Sequence, residues 1–124
     1  MSLNIAGPYI VTIGAYPDTD ASIETDLIGG VILDVGIEIA LDGGSSLDIS
    51  IDTKGEAALA KNILTLTNAT TDAWYRPREA VHAVSGGASI ANEYTQGVAI
   101  YDKITISVTG GGENDQLKVW FLIL

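Results

Sequence analysis

His82, the one histidine of the chain, sits between Val81 and Ala83, and the first question is whether it could serve as a base. A serine triad needs a serine within reach of the imidazole and a carboxylate to orient it, and none of the eight serines occupies a Gly-x-Ser-x-Gly elbow. His82 is therefore read as a structural or surface residue. One histidine also falls short of the multi-histidine zinc sites of hydrolases. With no cysteine, the chain has neither a thiolate metal site, a cysteine nucleophile nor a disulfide.

The carboxylates offer other chemistry. Asp18, Asp20, Glu24 and Asp26 form the densest acidic cluster, and oxygen ligands suit a hard cation such as calcium, but the spacing lacks the EF-hand loop with its central glycine and terminal glutamate. A solvated loop is the expectation, and Glu113 with Asp115 is a weaker metal candidate still. Glycosidase pairs are defined by separation across a cleft, so sixteen carboxylates alone point to none. Gly110-Gly111-Gly112 lacks the lysine and following helix of a phosphate loop and makes a turn. Asn68-Ala69-Thr70 matches a glycosylation sequon. Trp74, Tyr75 and Tyr94 are candidate ligand or partner contacts, because aromatic faces cover the apolar faces of sugars, although tryptophan more often packs in a core or interface. No catalytic residue, metal or cofactor is assigned, and the expectation is a protein that is not an enzyme.

Charge narrows the partners. The net charge is −10, and residues 1–53 carry nine carboxylates and no Lys or Arg. Nucleic acid and anionic membranes both require clustered cations, so neither is an expected partner. Apolar residues make up 47% of the sequence and the 14 glycines are scattered, which fits one folded domain over residues 1–124. No apolar run approaches the ~18 residues that span a bilayer, and MSLNIAGPYIVTIGAYP has no basic start, so neither membrane insertion nor export is predicted.

The elements that must position these side chains are strands. Leu33, Val35, Ile37, Ile39 and Leu41 alternate with Asp34, Gly36, Glu38, Ala40 and Asp42; after a Gly-Gly-Ser-Ser break, Leu47, Ile49 and Ile51 alternate with Asp48, Ser50 and Asp52. This pattern predicts a β-hairpin. Tyr9, Val11 and Ile13 predict a short strand bracketed by Pro8 and Pro17, and YPDTDASIETD reads as an exposed loop, so residues 1–26 are expected to form an arm and an acidic loop. At most one helical turn is expected near residues 56–61. NILTLTNAT returns to strand. Val98, Ile100, Ile104, Ile106 and Val108 share one parity and precede GGGEND and LKVWFLIL, which predicts a closing antiparallel pair. About seven or eight strands with regular turn signals imply an all-β, antiparallel sandwich of jelly-roll type.

One strand has no wet side. In LKVWFLIL, Leu117, Val119, Phe121 and Ile123 continue the core parity, which leaves Trp120, Leu122 and Leu124 on the opposite face. Leaving all three in water would forgo roughly 5–9 kcal/mol, at ~1.5–3 kcal/mol for each large apolar side chain. Either a second layer or the N-terminal arm of the same chain covers them, or a neighbouring subunit does.

From about Leu27 onward, VILDVGIEIALDGGSSLDISI, GEAALAKNILTLT and VAIYDKITISVTGGGENDQLKVWFLIL together resemble the small all-β virion proteins of tailed bacteriophages, the head decoration, cement or head-fibre proteins. The resemblance implies a structural protein without enzymatic activity, assembled in the host cytoplasm and located in the virion. It implies a symmetric oligomer, a homotrimer above all, that contacts the major capsid protein or another virion protein. Residues 1–26 fall outside the resemblance. The other expectation is a carbohydrate-binding or receptor-binding β module of a phage tail or secreted enzyme, displaying Trp74 or Tyr94.

Overall fold

The computed structural model describes residues 3–14, 20–42, 46–55 and 59–124. Strands run through Asn4–Thr12 (β1), Ala21–Glu24 (β2), Ile28–Ala40 (β3), Leu47–Thr53 (β4), Asn62–Ala69 (β5), Ala73–Tyr75 (β6), Ala80–His82 (β7), Ser89–Tyr94 (β8), Val98–Asp102 (β9), Ile104–Thr109 (β10) and Gln116–Ile123 (β11). The fold is all-β, antiparallel and sandwich-like, as the alternation predicts, with eleven strands among the described residues rather than seven or eight. The difference lies in short pieces such as β2, β6 and β7, whose three or four residues are too few to register a period. The helical turn expected near residues 56–61 falls largely on residues 56–58, outside the described residues.

A five-stranded sheet has the order β1-β11-β3-β6, with β9 also on β3; a four-stranded sheet has the order β2-β10-β4-β5; and β7 pairs with β8 in a separate hairpin. The core lies between the two large sheets. Ile32, Val35, Ile37, Leu117, Val119 and Phe121 come from one, Leu47, Ile49, Ile51, Ile104, Ile106 and Val108 from the other, all nearly inaccessible to solvent.

Two expected pairings are absent. β3 and β4 do not form a hairpin, and β10 and β11 do not pair; each couple divides between the sheets, β3 and β11 in one, β4 and β10 in the other. The alternation holds in each of these strands, but a period of two reports only which face is buried. Strands facing one core from opposite layers carry the same pattern as strands paired within a layer. For the same reason the run from Val98 to Val108 keeps one inward parity although it passes from one sheet (β9) to the other (β10) at Lys103.

The N-terminal region is also corrected. Ala21–Glu24 is a strand on β10, with Ala21 and Ile23 packed toward the core, rather than part of an exposed loop. β1 lies along β11 at the edge of the five-stranded sheet, so it widens that sheet instead of layering over it. Its Tyr9 ring packs on Phe121, centroids 5.8 Å apart, and burial followed by the nearby Asp26 carboxylate raises the phenol above its ordinary value.

β3 holds both halves of its 13 residues against the core by means of a bulge. Ile32 pairs with Ile123 but Asp34 pairs with Leu122, so the register slips at Leu33. Ile28 and Ile32 point inward before the slip, Val35 and Ile37 after it, and Leu33 is only half-buried.

Candidate functional site

The outer faces of the two sheets differ. On the four-stranded sheet, Asp48, Ser50, Asp52, Thr65, Thr105 and Ser107 alternate with the core residues, a water-facing surface of hydroxyls and carboxylates. On the five-stranded sheet the corresponding positions form three rows. The middle row is Trp120, Gly36 and Trp74, paired in that order across β11, β3 and β6. On one side, Ile5 pairs with Leu122 and Leu122 with Asp34, beside Arg76. On the other, Ile10 pairs with Lys118 and Lys118 with Glu38, beside Asp72.

Gly36 makes the middle row possible. A Cβ built there would lie 2.8 Å from Cη2 of Trp74, so the indole roofs the bare backbone of β3. The same device recurs one bend away, where a Cβ on Gly29 would lie 2.9 Å from the Tyr101 ring. Trp74 remains 59% exposed and Ile5 64%. With Trp120, Glu38 and Asp72 they line a shallow groove of about 480 Å³. Among the described residues no second layer lies over it.

Charge frames this apolar centre. Arg76 Nε meets Asp34 Oδ1 at 3.0 Å, and Arg78 lies beside it around a second hollow lined also by Leu33, Gln96 and Leu122. At the other end Asp72 Oδ1 accepts the Ile39 N–H at 2.9 Å, which fixes the carboxylate at the sheet margin beside Glu38. Asp34, Glu38 and Asp72 thus stand against Arg76, Arg78 and Lys118. The face is neutral, and the remaining thirteen carboxylates of the chain are opposed by three lysines.

Of the residues singled out by sequence, Trp120 and Leu122 are half-buried on this face and Leu124 is exposed at its margin, where it exchanges backbone hydrogen bonds with Val31. Trp74 joins them. Tyr75 alternates to the opposite side and packs toward the core, and Tyr94 stands on the β7–β8 hairpin, so the three aromatics do not form one platform. Ile5, Ile10, Gly36 and the two arginines were not singled out. A glycine in the outward parity of a strand was the signal available for Gly36, since it marks a close approach from a neighbour.

The other candidates have local structural partners. His82 Nδ1 lies 3.1 Å from the Gly87 carbonyl and 3.3 Å from Ser89 Oγ, contacts within one exposed hairpin. Glu24 faces Lys54 at 3.3 Å and Lys103 at 3.5 Å, while Asp18 lies outside the described residues. No group of three metal-ligating side chains occurs among the described residues. Asp115 is fully buried and accepts the Gly112 N–H at 2.7 Å and the Asp42 N–H at 2.6 Å, which ties the β10–β11 turn to the end of β3. Glu113 is exposed beside it.

Compared with known proteins, the chain matches no family model, no curated protein and no solved structure, so the apolar sheet face has to be interpreted from its own geometry.

Proposed function

We propose that this protein is a non-enzymatic structural subunit, joined to its neighbours in a symmetric assembly through the outer face of the five-stranded sheet. The observation that carries the reading is the contrast between the two outer faces of one sandwich, Ser, Thr and Asp on one side and Trp74, Trp120, Leu122, Ile5 and Ile10 on the other. Contiguous apolar surface of this kind on a folded domain usually marks association. The resemblance of its strands to small tailed-phage virion proteins makes a phage particle the assembly we propose. There the protein would serve as a capsid decoration, cement or head-fibre subunit bound to further copies of itself or to the major capsid protein.

Light scattering on the purified protein tests association directly. The expected result is an oligomer that Trp120→Glu reduces to the 12.9 kDa chain while the β-sheet circular dichroism persists. An unchanged oligomer in Trp120→Glu would mean that another surface holds the subunits together.

The exposed indole of Trp74 with Glu38 and Asp72 beside it supports a second reading, a carbohydrate-binding module, because a sugar ring can stack on the free aromatic face while its hydroxyls meet carboxylates. Glycan-array binding abolished by Trp74→Ala, with the mass in solution unaltered, would favour it.

A further inference from the structure

We propose that the neighbour on this face is a second copy of the chain, related by a two-fold axis that runs across the strands along the Trp120–Gly36–Trp74 row. The inference rests on the association reading above and specifies its geometry.

Charge points to a second copy. The chain carries −10, yet this face balances three carboxylates against three of its six basic residues, so two copies can meet here without the repulsion that the rest of the surface would impose. A strongly basic partner would find its complement elsewhere on the molecule.

The order of the rows selects the axis. A two-fold axis across the strands lays the middle row on itself and sets each outer row against the other, with every strand facing its own counterpart in the partner. Ile5 then faces Ile10 of the partner subunit, apolar on apolar. Arg76 faces Asp72 of the partner subunit, cation on anion. Asp34 falls near Glu38 of the partner subunit, and that like pair is flanked by Arg76, 3.0 Å from Asp34, and by Lys118 of the partner subunit. An axis along the strands would instead set β1 against β6 and β11 against β3; Lys118 would then meet Glu38 of the partner subunit, but Ile5 would lie on a guanidinium and both Ile10 and Leu122 on carboxylates. The first arrangement also sets Leu122 against Lys118 of the partner subunit, whose aliphatic stem can cover it, and it is the one that joins apolar to apolar on β1 and cation to anion on β6.

Charge exchange tests this pairing on the full chain. Wild type is expected to sediment at twice 12.9 kDa. Asp72→Arg and Arg76→Asp should each weaken association at least tenfold, because each places like charges opposite one another twice. An equimolar mixture of the two variants should recover the dimer, since both contacts are then of opposite sign. Both residues are exposed, and circular dichroism checks that each variant folds. The chain has no cysteine, so a second measurement uses Ile5→Cys and Ile10→Cys chains with a short bismaleimide. Cross-linking is expected in the mixture and not in either variant alone.

A trimer, or a dimer that the mixed variants fail to restore, would overturn the two-fold pairing, and if Trp120→Glu still dissociates it the association reading stands. Cross-linking of Ile5→Cys alone would also overturn it. A wild-type monomer, with or without glycan binding, would overturn both.

Discussion

Trp74 and Gly36 show how much of this surface depends on single positions. The indole occupies the space that any side chain at position 36 would need, at 2.8 Å from the would-be Cβ, so Gly36→Ala must move the ring. Because Trp74 is mostly exposed and can swing outward, the fold should lose less than about 1.5 kcal/mol, the lower part of the ~1–3 kcal/mol that overpacking a closed core costs. Tryptophan fluorescence should nevertheless shift, and a Trp74→Phe background removes that shift. Tyr9 makes a different prediction. Its phenol is held above the ordinary value of 10.0, so the folded state keeps the proton more tightly than the unfolded one. That stability is complete below pH 10 and is lost as the pH rises through the folded-state value, whereas Tyr9→Phe should flatten the alkaline arm of a denaturation series. At this scale the sequence exposed the parity of Trp120 and Leu122 but not the company of Trp74, because adjacency across β11, β3 and β6 joins residues 120, 36 and 74, which no local pattern relates.

The turn between β10 and β11 illustrates what an element requires. Asp115 is buried with its two oxygens on the Gly112 and Asp42 amides, and Gly111 lies against the core with a would-be Cβ 2.6 Å from Leu47. Asp115→Ala should cost about 3–6 kcal/mol, at about 1.5–3 kcal/mol for each of the two lost charge-assisted hydrogen bonds. Gly111→Ala should cost ~1–3 kcal/mol by overpacking. Both are measurable by urea denaturation with an unchanged slope. The triple glycine was legible as a turn, yet the role of Asp115 was not, since the acceptor reaches Asp42 across 73 residues. Strand identity was legible for β3, β4, β10 and β11, where alternation runs for six residues or more. Their partners were not, because inward parity is the same on either layer of a sandwich. The bulge at Leu33 escaped for a related reason: a one-residue slip in β3 leaves each half-strand alternating correctly and alters only the sum.

For the whole molecule, the charge distribution and the two unlike outer faces give the subunit a direction. One side offers a neutral apolar surface, the other an acidic hydroxyl-rich one, so association through the first should present the second outward in every copy. Raising salt should leave the apolar contact largely intact while weakening the contribution of its rim charges, a modest loss readable in sedimentation between low and physiological ionic strength. Composition points to a folded, acidic, cysteine-free domain and the alternation to strands; the sidedness depends on which parity each strand turns outward. The β7–β8 hairpin adds a last consequence. Its strands project from the sandwich, and Gly86 and Gly87 at its tip adopt positive φ with nothing within 4 Å of a would-be Cβ. Chain inserted between those two glycines would meet no packed atom, so a short epitope spliced there should leave the melting temperature within a few degrees of wild type, and in an assembled particle every subunit would carry that label as an addressable handle.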